Sequence, residues 1–201
     1  MSPDFLDPRS PVAIHGKKLP HWQQGPAWQF VTFRLKDSLP ADFLAPYRNQ
    51  RTAWLRLHPE PWTDEIRREF HRVFSTRIHD WLDKGHGSCL LRDPEKRQAM
   101  GDVMMRDDGS RAELACWVIM PNHVHVLFSP HTELAKLVGL WKGVSAREMG
   151  LGPVWQRNYH DTLIRSTEHF AAVVRYIRKN PLALPAGTFT LWESDQARQI
   201  E

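Results

Sequence analysis

The chain has 201 residues, 41% hydrophobic and 25% charged, a length and balance suited to one globular core with appended segments. A formal charge of +4 and a pI near 9.3 bias its partners towards polyanions such as nucleic acid. Cys89 and Cys116 stand far apart and outside any CxxC pattern, which argues against a disulfide scaffold or a thiolate zinc site, and no apolar run approaches the ~20 residues that span a bilayer. With no basic start followed by an apolar run, the expectation is a cytoplasmic protein with no membrane contact.

Residues 1–26 carry Pro3, Pro8, Pro11, Pro20 and Pro26 and read as an irregular arm. The order AWQFVTFRL from Ala27 to Leu35 is apolar on much of both faces and predicts a first strand. Prolines interrupt the stretch from Pro40 to Pro61, which reads as a broken connection. Thr63 then opens a helix whose stripe holds Ile66, Phe70, Val73, Phe74, Ile78, Trp81 and Leu82, with Gly85 or Gly87 to stop it. A second helix is predicted over 94–106, ended by the DDGS turn.

RAELACWVIMPNHVHVLFSP reads as strand, tight Met-Pro-Asn connection and strand, an antiparallel hairpin. Residues 132–149 predict a helix capped by Thr132 and closed by Gly150. YHDTLIR is a short strand, and Ser166 caps a last helix that Pro181 stops. Helices interleaved with an antiparallel hairpin indicate an α+β two-layer sandwich.

In PNHVHVLF, His123 and His125 lie two apart on a strand, so both imidazoles leave one face about 6.5–7 Å apart at Cα. That spacing fits two ligands of one divalent cation with open positions left for phosphate and water. Val124, Val126 and Phe128 occupy the opposite face and anchor the strand in the core, leaving the histidines where polar chemistry can occur. By itself the pair equally describes two partly exposed histidines on a sheet.

In the last helix Phe170, Val173, Val174 and Ile177 form the buried stripe, while Tyr176 and Asn180 stand one turn apart beside it. A tyrosine can act as covalent nucleophile next to a cation, and the Asn180 amide oxygen could complete a three-ligand metal site. Arg157, Arg165, Arg175, Arg178 and Lys179, with Lys142 before them and Trp155 interleaved, suit backbone phosphates and unstacked bases. The same pattern also describes an amphipathic helix with a solvated basic face.

Five segments in order, GSCLLRD (87–93), CWVIMPNHVHVLF (116–128), LWKGVSAREM (140–149), VWQRNYHDTLIR (154–165) and HFAAVVRYIRKNP (169–181), resemble the IS200-like (Y1, HUH) transposase family, especially its REP-associated tyrosine transposase branch. The resemblance spans about 27–181. It implies a ferredoxin-like sandwich, an antiparallel sheet with helices on one face, as the catalytic domain, between the arm at 1–26 and a tail at 182–201. It also implies a nuclease that cleaves and joins single-stranded or hairpin DNA with Mg²⁺ or Mn²⁺, as a monomer or homodimer associated with the nucleoid. The family's metal histidines fall on His123 and His125, its nucleophile on Tyr176 and its third ligand on Asn180, which points away from Tyr159. The arm and the 36–62 connection have no counterpart in that chemistry, and the link from Met149 to Trp155 is short.

Two other readings fit parts of the pattern. A histidine-triad nucleotide hydrolase also uses alternating histidines, but the next alternating position here is Leu127. A DNA-binding protein that keeps the fold without turnover would retain the basic surface alone.

Overall fold

The computed structural model describes residues 5–15, 21–59 and 62–201. Pro3, Pro20 and Pro61 lie outside those residues. The chain divides into two compact units, Asp37–Cys89 and the rest, Met1–Lys36 with Leu90–Glu201. In chain order the elements are β1 (Ala13–His15), β2 (His21–Gln23), β3 (Gln29–Arg34), α1 (Ala41–Leu57), α2 (Asp64–Phe70), α3 (Thr76–Asp83), α4 (Pro94–Met105), β4 (Ala112–Ile119), β5 (His123–Pro130), α5 (Leu134–Glu148), β6 (His160–Leu163), α6 (Thr167–Lys179), β7 (Thr190–Glu193) and α7 (Asp195–Arg198). Among the described residues, no helix is long and apolar enough to cross a membrane.

The larger unit is built on a five-stranded antiparallel sheet in the order β6-β3-β5-β4-β7. Taken alone, β3, β4, β5 and β6 have the split βαβ order of ferredoxin-like sandwiches, with the hairpin β4–β5 formed where alternation predicts it. All eight residues of the central strand β5 are buried, so both of its faces need cover. Val31, Phe33, Val124, Val126 and Phe128 pack on one side with Met100, Val103, Leu137 and Trp141 of α4 and α5. Phe30, Leu127 and Val118 pack on the other with Phe170, Val173, Val174 and Ile177 of α6.

The expectation of helices on one face is therefore corrected: α4 and α5 share a face, and α6 lies across the sheet from them. The tail at 182–201 is corrected too. β7 is an edge strand of the sheet, where Trp192 stacks on Trp117 with ring centroids 6.0 Å apart, and Ala197 of α7 is buried. Within the arm at 1–26, β1 and β2 form a small ladder, and His21 Nδ1 meets Asp161 Oδ1 of β6 at 2.5 Å. Gln23 of the same ladder accepts from Leu134 N–H at 2.8 Å and donates to Thr132 O at 2.8 Å. It thereby does for α5 what Thr132 was expected to do, because Glu133 is the N-cap and makes no side-chain capping bond.

Trp141 anchors the α5 side of the core. It is fully buried, meets Phe128 edge-on at 4.9 Å, and donates from Nε1 to Asp107 Oδ2 at 2.8 Å. Trp141→Ala is expected to lower unfolding free energy by about 3–5 kcal/mol, a loss of packing plus the loss of the donor to Asp107 Oδ2, while Oδ1 keeps Arg111. Urea denaturation would show it as a lower midpoint at unchanged m.

The smaller unit joins α1 to the run α2–α3. The broken connection expected over 40–61 is corrected here: Pro40 is the N-cap of a 17-residue helix, and Pro46 lies inside it. Pro46 forgoes one bond to the Asp42 carbonyl, a loss that aromatic packing offsets. Phe43 stacks on Trp81 at 4.3 Å, Tyr47 meets Phe74 edge-on at 5.9 Å, and Trp54 meets Phe70 at 5.3 Å. The helix predicted from Thr63 runs through a π-helical turn at 71–75. Its wider turn takes up the angular drift of the stripe, so that Phe70 and Phe74 keep the same face as Ile78 and Leu82.

Candidate functional site

β5 carries the centre of the site. His123 and His125 point to the α6 face of the sheet, and both are completely buried. Each ring is held from behind. His123 Nδ1 lies 2.7 Å from Asn122 Oδ1, an atom that only accepts, so the ring's proton sits on Nδ1 and its Nε2 presents a lone pair. His125 Nδ1 lies 2.7 Å from the hydroxyl of Thr32, its cross-strand partner on β3. That hydroxyl can accept from Nδ1, which leaves His125 Nε2 as a second lone pair. The two Nε2 atoms converge to 3.0 Å. Two lone pairs at that separation suit one shared proton or one cation, and an outward hydrogen bond on each ring is the usual support of a metal-binding imidazole.

α6 brings the phenol. Ser166 is its N-cap and accepts from His169 N–H at 3.2 Å, and the apolar stripe predicted for it is buried against the sheet. That docking leaves Tyr176 half-buried at the rim, with its Oη 3.5 Å from His125 Nε2. Phe30 fixes both rings from the side, stacking on His125 at 5.5 Å and meeting Tyr176 edge-on at 5.8 Å. Asn180 follows one turn later as the C-cap of α6, and its Oδ1 is buried without a hydrogen-bond partner. A buried acceptor of that kind fits a cation or a donor brought by a ligand. The donor set of two imidazole nitrogens and one amide oxygen suits Mn²⁺ or Mg²⁺ with open positions.

The structure thus brings His123, His125 and Tyr176 together and places Asn180 at the end of the same helix. It corrects the reading of Trp155 as a base-stacking residue. Trp155 is buried on the opposite face, edge-on to Phe33 at 5.1 Å, with Nε1 donating to Ser145 Oγ at 3.0 Å. Lys142 is corrected as well: it is buried, and its Nζ donates to the Arg157 carbonyl at 2.8 Å. Arg178 is engaged by Glu193 at 2.8 Å and by the carbonyls of Ala197 and Ile200, which ties α6 to the C-terminal strand and helix. Arg175 donates to Glu201 O at 3.1 Å and stays exposed, as do Arg157, Arg165 and Lys179. Thr32, Asn122 and Phe30 were not singled out in the sequence. Asn122 had a visible signal, its place directly before the histidine pair, whereas Thr32 and Phe30 needed the register of β3 on β5.

Burial without a counter-charge lowers the Lys142 pKa from 10.5 to about 8. Between those values the unfolded chain binds more protons than the folded one, so this lysine makes stability rise as pH rises through that window. Lys142→Met is expected to raise Tm at pH 7, with the gain shrinking as pH rises from about 8 to 10.5. Thermal melts across that range would check it. Burial likewise holds the Cys116 thiol far above its ordinary value, which makes it inert as a nucleophile.

An antiparallel α+β sheet with a buried His-x-His pair facing a helix tyrosine defines a candidate metal and tyrosine centre. No protein-family model matches the chain, and no curated protein does. Among solved structures it is similar to a REP-associated tyrosine transposase bound to a REP hairpin, with 17% identity over 83% of this chain and 73% of that one and a TM-score of 0.47.

Proposed function

We propose that this chain is a metal-dependent single-stranded DNA transesterase of the tyrosine transposase type, acting on REP-type hairpin DNA. The observation that carries the reading is the convergence of His123 Nε2 and His125 Nε2 to 3.0 Å with Tyr176 Oη 3.5 Å from the second. His123, His125 and Asn180 would hold Mg²⁺ or Mn²⁺, which supplies charge stabilisation to the phosphodiester as it is displaced. Tyr176 Oη attacks phosphorus, the bond to the 3′ oxygen breaks, and the products are a 5′-phosphotyrosine and a 3′-hydroxyl that takes up a proton as the phenol gives one up. Attack by that hydroxyl on the phosphotyrosine reverses the step and rejoins the strand. Exposed Arg157, Arg165, Arg175 and Lys179 would hold backbone phosphates. The activity belongs in the cytoplasm, at the nucleoid, with the protein a monomer or a homodimer.

The test is incubation with a REP-type single-stranded hairpin and Mn²⁺, followed by denaturing gel electrophoresis. A covalent protein–DNA band is the expected result. A second reading, a DNA-binding protein of this fold without turnover, is favoured by the complete burial of both imidazoles. Hairpin binding with no band at any Mn²⁺ concentration would select it.

A further inference from the structure

The first helix of the smaller unit, Asp37–Cys89, has an unusual charge pattern. Between Phe43 and Pro59 there is no carboxylate, while Arg48, Arg51 and Arg56 all fall there. A solvated helix face ordinarily mixes both signs and pairs them at i,i+4. Two of the unit's arginines are used internally: Arg51 lies over the Phe70 ring at 5.4 Å, and Arg77 donates to Gln50 at 2.8 Å. Arg48 and Arg56 are exposed, and neither has an ion-pair partner among the described residues. Of the unit's exposed acids, Asp37 precedes α1, Asp42 lies in its first turn, and Glu65, Glu69, Asp80 and Asp83 are on α2 and α3.

Helical spacing puts Arg48, Thr52 and Arg56 on one outward stripe, with Asn49 beside it and the small residues Ala45 and Ala53 flanking. Arg48 and Arg56 are separated along the axis by about 12 Å, which matches three to four phosphates at about 3.4 Å per nucleotide. Asn49 and Thr52 offer neutral donors between the two charges, and the alanines let a sugar-phosphate backbone approach closely. Leu57, 78% exposed at the end of α1, is the one large apolar side chain beside the stripe, and a single side chain is too little to insert into a lipid surface.

We propose that this face of α1 is a second DNA-docking surface, which holds the phosphate backbone of the hairpin stem through Arg48 and Arg56. The proposal rests on the reading that the substrate is hairpin DNA, and it adds a contact outside the histidine and tyrosine site. It makes the unit between β3 and α4 a recognition module that contributes affinity without base specificity.

The experiment measures fluorescence anisotropy of a fluorescein-labelled REP-type hairpin DNA with the full chain over a series of salt concentrations. Arg48→Gln/Arg56→Gln is expected to weaken binding about tenfold and to make the log–log salt slope shallower by about 1.8, the value for two lost phosphate contacts. Arg48→Lys/Arg56→Lys, which keeps the charge, should retain most of the affinity and the slope. A control pair of exposed arginines on other elements, Arg147→Gln/Arg198→Gln, should stay within about twofold of the parent, an effect the size of general charge loss. A Gln pair indistinguishable from the control pair, a Lys pair as weak as the Gln pair, or a parent chain without hairpin affinity overturns the proposal. Because anisotropy reads binding without cleavage, a failed adduct assay would sink the tyrosine chemistry and leave this comparison intact.

Discussion

Tyr176→Phe is expected to remove the covalent protein–DNA adduct and to lower strand cleavage by about 10⁴-fold or more, the scale of losing a nucleophile outright. The substitution deletes one oxygen and leaves a ring that can still meet Phe30 edge-on and lie beside His125. The buried stripe of α6, its Ser166 cap and the Arg178 tether to Glu193 do not involve that oxygen. The variant should therefore melt within a few degrees of the parent and bind hairpin DNA with unchanged affinity. An adduct of undiminished yield in Tyr176→Phe would sink the assignment of the nucleophile, and Tyr159 would not replace it. Tyr159 stacks on His21 at 3.8 Å inside the opposite core, and burial together with the charge of Asp161 holds its phenol above the ordinary range.

His125→Ala is expected to reduce cleavage about 10²–10⁴-fold, while DNA affinity changes less than about threefold, because phosphate contacts supply binding and the imidazole pair supplies chemistry. His123→Ala should behave alike. Thr32→Val makes a graded partner to these variants, since it keeps the β-branched shape on β3 and deletes only the hydroxyl that meets His125 Nδ1 at 2.7 Å. Loss of that support should weaken metal affinity about 10–100-fold, so cleavage would recover as Mn²⁺ is raised. His125→Ala would not recover, having lost the ligand itself. Parallel losses of binding and cleavage in both variants would instead mark the histidines as packing residues, since the fold and not the chemistry would then have failed. Rates against Mn²⁺ concentration, with hairpin Kd measured alongside, separate these outcomes.

Local pattern was enough for much of the site. The period of two in PNHVHVLF places both histidines on one face, and the helical period from Ser166 to Pro181 puts Tyr176 and Asn180 beside the buried stripe. The hairpin β4–β5 and the α4 cap at Asp93 are similarly short-range features, settled by residues a few positions apart. The arginines and lysines of the basic set carry no such information. Whether a cation meets water, a carbonyl or a carboxylate depends on which distant segment lies over it, and so Lys142 and Arg178 turned out to be engaged within the fold.

The amino-acid sequence by itself therefore determined the strand and helix that bear the candidate site, the side from which each residue leaves its element, and the resemblance that gives the chemistry a name. Tertiary structure alone decided the rest. It took the Thr32–His125 register to hold the imidazole and α6 crossing to the far face to set Tyr176 3.5 Å from it. Aromatic packing carried α1 through Pro46, and β7 was drawn from a supposed tail into the sheet. The physical reason is one of range. Periodicity and capping act over one or two turns of chain, whereas burial and strand pairing join residues such as Thr32 and His125 whose encounter no local window contains.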